Sequence, residues 1–149
     1  MPLLLGWVEA RQSMATTVKF SVDPGVPIAV YVQIENQVQF AIASGALKSG
    51  DPLPSVREMS HQLDVNPNTV TKAYRDLELI GLVKTRRGIG VKISDGAAAL
   101  CRKKVHEMVK QHLRDAVGES IAAGLSAAQV RKVVTDAISS GYTPYASGG

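Results

Sequence analysis

A single cysteine, Cys101, stands in the 149 residues. That excludes an internal disulfide framework and a cysteine-based zinc site, and it suits a reducing compartment, the cytoplasm. Aromatic side chains make up only 5% of a chain that is 45% hydrophobic, so aliphatic residues must fill the core. Near the start no apolar run exceeds Pro2–Leu5, far short of a membrane span, and no positive region precedes it as a secretory signal requires. No membrane partner is expected. Acidic charge is also in deficit, with 17 Lys and Arg against 13 Asp and Glu and a net charge of +4. Such an excess permits a polyanionic partner without choosing one. The length holds one ordinary domain, or a small domain with an appendage, and leaves no room for most multidomain enzymes.

What is present begins with weak signals. Residues 1–26 read as a flexible N-terminal extension, within which Met14 offers a second translation start. Phe20-Ser21-Val22 suits a short extended piece, and Asp23-Pro24-Gly25 is a turn signal, so the folded unit is expected to begin near Pro27. Tyr31, Ile34, Val38, Ala41 and Ile42 then repeat at three and four, the stripe of an amphipathic helix, with Glu35, Asn36 and Gln39 on its other side. Gly45, Gly50, Pro52 and Pro54 stop it. Ser55 with Glu58 forms a capping box that opens a helix over 56–63, burying Val56, Met59 and Leu63. Asn66 suits an N-cap and Pro67 the first helical position of a third helix, whose buried stripe is Val70, Ala73, Leu77 and Ile80 and whose end is marked by Gly81. Leu82–Thr85 and Val91–Ser94 flank a basic, glycine-bearing turn and predict a β-hairpin.

Beyond Gly96 the composition turns helical. One helix is predicted from Ala97 to about Ala123 and a second from the capping box of Ser126 and Gln129 to Gly141, leaving 142–149 as a disordered C-terminus.

Three helices and a hairpin over 27–95 make a winged helix-turn-helix order in a mostly α protein. A helix fits the major groove of duplex DNA, and the hairpin tip reaches phosphates or the adjacent minor groove. Asn68, Thr71, Lys72 and Arg75 recur on the outward side of the third helix, where they suit base edges or phosphate oxygens. Asn66, Asn68 and Thr69 crowd its N-terminus, which favours a phosphate. The hairpin gathers Lys84, Arg86, Arg87 and Lys92, with no acid between Glu78 and Asp95. Each feature alone is an ordinary solvated surface; their convergence on one surface points to a nucleic acid.

The ordered residues also carry a resemblance. The run includes Tyr31-x-Gln33-Ile34, then Leu53-Pro54-Ser55-x-Arg57-x-x-Ser60-x-x-Leu63. It continues through Val65-Asn66-x-x-Thr69-Val70-x-x-Ala73-Tyr74-x-x-Leu77-Glu78-x-x-Gly81-Leu82-Val83 to Gly88-x-Gly90-x-x-Ile93. Over about Pro27 to Ser94 this resembles the GntR family of bacterial transcription regulators. One departure is the insertion of Ala29-Val30 between Ile28 and Tyr31. The resemblance implies double-stranded DNA as partner, contacted by Ser55 and Arg57 at the start of helix two. It further implies contacts from Asn66, Asn68, Thr69 and Thr71 at the turn and third helix, and from Arg87 and Gly88 at the wing tip. Thr71 stands where some relatives place a guanine-reading arginine, so Lys72 is expected to weigh more in base preference. The stretch after Ser94 is short for the effector domains of most members and resembles the YtrA-like subfamily, in which a two-helix tail dimerises the protein.

The apolar stripes of that tail, 96–141, fit a homodimer joined through Val105, Val109, Leu113, Val130, Val134 and Ile138; the alternative is that the helices fold back on their own DNA-binding unit. Other chemistry is poorly supported. Ser55, His61 and Asp64 lie within the helix-turn-helix and make a poor triad. His106 and His112 fall on different faces of a helix, so no metal site is expected. Cys101 reads as packing, and Gly88-x-Gly90 as a hairpin rather than a phosphate loop. No cofactor and no enzymatic activity are expected. A small-molecule effector would bind at the dimer interface or be absent. A winged helix serving protein or RNA would call for an apolar or aromatic recognition face, which Asn68 to Arg75 does not offer.

Overall fold

The structure is a computed structural model, and it describes residues 18–142. The elements run α1 (Val30–Ser44), β1 (Pro52–Leu53), α2 (Val56–Leu63), α3 (Pro67–Leu79), β2 (Val83–Arg86), β3 (Gly90–Ile93), α4 (Ala97–Ala122) and α5 (Ala127–Ser140). Among the described residues no helix is long and apolar enough to cross a membrane.

The core sits where α1, α3 and the start of α4 meet. Ile34, Val38 and Ile42 of α1, Met59 of α2, and Val70 and Leu77 of α3 are fully buried. The two capping boxes form as their spacing predicts. Glu58 N–H donates to Ser55 Oγ at 3.1 Å and Ser55 N–H to Glu58 Oε2 at 2.8 Å, and Gln129 and Ser126 repeat the exchange at the head of α5. The turn between α2 and α3 places Asp64 at φ +54°, a conformation that Asp tolerates better than most side chains.

The strands differ from expectation in one respect. Leu53 pairs with Val91 and Pro52 with Lys92, so the hairpin gains a third, two-residue strand and the order β1-β3-β2. The first helix already ends at Ser44, with Gly45 as its left-handed cap at φ +86°, so the prolines do not terminate it. Pro52 instead sits in a short edge strand, where its missing N–H breaks no ladder.

Three further expectations need correction. The packed unit starts before Pro27. Phe20 is buried in the core, and residues 20–23 lie along α1, held by glutamine amides that imitate backbone. Gln33, itself fully buried, accepts Asp23 N–H at 2.8 Å and donates to the carbonyls of Asp23 and Ile28. Gln37 does the same with both backbone groups of Ser21. The remainder of the 1–26 extension, including Met14, lies outside the described residues, as do residues 143–149. Ile80 is not buried: α3 ends at Leu79, and Ile80 caps it in solvent.

Val105 is the third. It was expected at a dimer surface, yet it is 3% exposed and packs with Ala97 and Cys101 against α1. The first turns of α4 thus fold back on the DNA-binding unit, as the alternative reading had it for the whole tail. Cys101 Sγ donates to Gln39 O, and Arg102 Nε to Ala43 O near the end of α1. Burial pushes the Cys101 thiol up, which suits packing rather than reactivity. After Val105 the helix leaves the core: Val109 and Lys110 still border a groove with Phe40 and Ser44 of α1, and farther along α4 packs with α5.

Candidate nucleic-acid interface

The recognition surface is built on α3. Val70, Ala73, Tyr74 and Leu77 hold one side of the helix in the core, and the Tyr74 hydroxyl donates to Pro54 O at 2.7 Å. That bond ties α3 to the Leu53-Pro54-Ser55 segment and so fixes its angle to α2. The opposite side presents Asn68, Thr71, Lys72 and Arg75, which with Asp76 line an open groove of about 310 Å³.

Each expected residue can be placed. Asn66 is the N-cap: its Oδ1 accepts Asn68 N–H at 2.8 Å, and its carbonyl accepts Thr69 N–H at 3.0 Å. Asn66 therefore shapes the helix start, leaving its amide nitrogen for a ligand. Thr69 is half-buried beside it. The Thr71 hydroxyl donates to Pro67 O at 3.0 Å, which leaves its oxygen as an acceptor and its methyl facing outward. Ser55 is exposed with its hydroxyl engaged in the capping box, and Arg57 projects from the first turn of α2. Arg87 and Gly88 lie in the turn between β2 and β3, with Gly88 at φ +78°, where a side chain would strain the backbone. Ile89, also in that turn, is exposed.

Lys72 is less free than its place in the sequence suggests. Its Nζ lies 3.0 Å from Asp76 Oδ2 and 4.5 Å from the centre of the Tyr31 ring, so it leans toward α1. Behind it sits Glu35 of α1, half-buried, with Oε1 lacking any partner. Burial, then a hydrogen bond with Asp76 and its charge, push Glu35 up to about 7, while Lys72 works against the rise. Asp76 is held below its ordinary value by its hydrogen bonds to Lys72 and Glu35. Sequence reasoning missed this acidic pair. The Lys72-x-x-x-Asp76 spacing signals one half of it, whereas Glu35 comes from another helix and leaves no local signal.

The wing is fixed to α3 by Glu78, which accepts the N–H of Thr85. None of Arg57, Arg75, Lys84, Arg86, Arg87 and Lys92 takes part in the ion pairs formed among the described residues. These cations therefore remain available to an external polyanion. No group of three or more His, Cys, Asp or Glu among the described residues is placed to hold a metal.

Comparison with known proteins decides the family. The model of "Bacterial regulatory proteins, gntR family" matches residues 30–93. The chain is 38% identical over 104 residues to the HTH-type transcriptional repressor YtrA of Bacillus subtilis (strain 168), spanning 70% of this chain and 80% of that protein. The chain belongs to the GntR family. It is also 34% identical over 122 residues to the HTH-type transcriptional regulator Rv1152 of Mycobacterium tuberculosis, across 78% of this chain and 90% of the relative. Among solved structures, a GntR family transcriptional regulator from Listeria monocytogenes superposes with TM-score 0.61 at 28% identity, covering 77% of this chain and 98% of that one. This GntR-family chain is a DNA-binding transcriptional regulator of the short, YtrA-like kind, with a winged helix-turn-helix followed by a helical tail.

Proposed function

We propose that this GntR-family chain acts as a homodimeric repressor that places its two α3 helices in successive major grooves of an inverted repeat. The observation that carries this reading is the division of α3 into a wholly buried side and an exposed side bearing Asn68, Thr71 and Arg75. A helix so anchored can dock as a rigid body, its polar side on base edges and phosphates. Asn66 and Thr69 set the helix start against a phosphate. Arg57, beside Ser55, and Arg87 with Gly88 hold the backbone on either flank. Lys72, braced by Asp76 and Tyr31, serves as a fixed positive charge more than as a flexible base reader.

Dimerisation is assigned to the outer part of the tail. Past Val105, α4 and α5 enclose an apolar groove of about 1180 Å³ lined by Val109, Leu113, Val117, Val130, Val134 and Ile138. α5 buries no residue completely, and Leu113 and Ile138 are more than half exposed. Two helices cannot cover both of their own apolar sides, and a second copy supplies the missing surface.

Selection of bound duplexes from a random pool, followed by footprinting, tests the reading. The expected result is a palindromic site with half-sites about one helical turn apart, bound more weakly by Arg57→Ala and Arg87→Ala. Undiminished affinity in both variants, or a single unrepeated site bound by one chain, would overturn it.

A further inference from the structure

The hairpin carries cations on the side that the recognition helix does not use. In the β2–β3 ladder Thr85 stands opposite Val91 and Val83 opposite Ile93, and Thr85 turns toward α3, where Glu78 takes its N–H and lies 3.4 Å from its hydroxyl. Successive strand residues point to opposite sides, so Lys84 and Arg86 face away from α3. Lys92 joins them: its cross-strand partner is Lys84, and Pro52 flanks it on the other edge. Two lysines set directly opposite one another repel and weaken a sheet. None of the three cations has an acidic partner among the ion pairs of the described residues.

Beside them lies a groove of about 240 Å³, lined by Lys84, Arg86, Lys92, Gly50, Ser94 and Asp95, with apolar side chains between. Ser94 is 5% exposed, yet its hydroxyl has no hydrogen-bond partner. Its backbone is fully used, the N–H by Leu82 O and the carbonyl by Ser49 Oγ and Ala97 N–H. A buried hydroxyl without a partner is rare and costly, and here it shares a groove with three cations that form no ion pair among the described residues. Asp95 is the one acid on this groove. It is exposed at the rim and offsets one of the three charges in part.

We propose that this outer side of the sheet is a second phosphate-binding surface, filled by the DNA backbone just outside the operator half-site. The proposal rests on the DNA-binding reading and extends it. Lys84 and Arg86 stand two strand residues apart, about 6.7 Å, a row suited to consecutive phosphates rather than to one isolated anion. The row runs without a break into Arg87 at the wing tip. Because it faces away from α3, it meets duplex beyond the stretch that α3 occupies. The Ser94 side chain, whose hydroxyl is covered in the free chain, turns to donate to a phosphate oxygen in the groove, and Lys84 and Lys92 lose their mutual repulsion against the shared anion.

The test uses the full chain and the operator recovered by selection, cut either at its last specified base pair or with about one helical turn of arbitrary sequence on each side. Wild type is expected to bind the long duplex about tenfold more tightly at low salt, with a steeper dependence on salt. The variant K84Q/R86Q/K92Q should bind both lengths as wild type binds the short one, and S94A should lose part of the same advantage. Removing the opposed lysines should raise Tm, which separates this result from misfolding. An equal loss on short and long duplexes, or no length effect in wild type, would overturn the proposal while leaving operator recognition by α3 intact. Saturation of the Ser94 amide resonance by free pyrophosphate, without any length effect, would overturn it in favour of a small phosphorylated ligand.

Discussion

Glu78, next to last in α3, accepts the backbone N–H of Thr85 in β2 at 3.1 Å. This single carboxylate joins the recognition helix to the wing across the Gly81 turn, so the two DNA-facing elements move together. Glu78→Ala should cost about 0.5–1 kcal/mol of stability, since water replaces the bond at this exposed site. The larger effect is expected on binding, because the wing must then be ordered on the duplex. Amide exchange at Thr85 should accelerate and operator affinity should fall severalfold; unchanged protection of Thr85 would contradict the link.

The acid pair at the edge of the recognition surface makes stability depend on pH with a definite sign. Glu35 rises from 4.5 to about 7 in the folded chain, so that chain keeps a proton that the unfolded chain releases. The contribution is complete below the unfolded value and is lost as pH climbs through about 7. Asp76, held below its ordinary 3.8, acts in the opposite sense: its contribution is present above that value and disappears in stronger acid. Tm should therefore decline between about pH 5 and pH 8, and Glu35→Gln should flatten that decline while leaving the loss in acid. A Glu35→Gln profile parallel to wild type would refute the assignment.

The N-terminal strap is part of the fold. Phe20→Ala should lower stability by about 3 kcal/mol, the usual cost of deleting a core aromatic ring. Removal of residues before Pro27 should do at least as much, because it also strips both Asp23 partners from the buried amide of Gln33 and both Ser21 partners from Gln37. A truncated chain with the melting temperature of the full chain would show the strap to be dispensable.

The tail has two jobs on two sides of Val105. Val105→Ala should lower Tm, at about 1–2 kcal/mol for a lost pair of buried methyl groups, without changing the molecular mass in solution. Leu113→Asp should do the reverse and yield a folded monomer by light scattering, with helical circular dichroism retained. Cutting the chain at Ser94 is a poor test of dimerisation, since it removes Ala97, Cys101 and Val105 from the core as well.

Local rules were written plainly in this chain. Helix caps such as Ser55, Asn66 and Ser126 act over three residues, so their spacing shows in the sequence and the helix starts follow. The same holds for the stripe Val70, Ala73, Leu77, which determined which side of α3 is buried, and for the basic turn between the strands. Ile80 misled for a related reason: it continues the stripe by spacing, but the helix ends before it, at Leu79.

Tertiary packing decided the remainder. Whether an apolar residue on α4 faces its own chain or a second copy depends on how far α1 extends beneath it, and the boundary falls just after Val105. That Pro52–Leu53 would pair with β3, that Phe20 would enter the core, and that Glu35 would meet Asp76 are each settled by contacts between segments distant in the chain. Capping and periodicity are short-range and readable from neighbours alone. Burial and carboxyl pairing are long-range, and only the assembled helices bring their partners within reach.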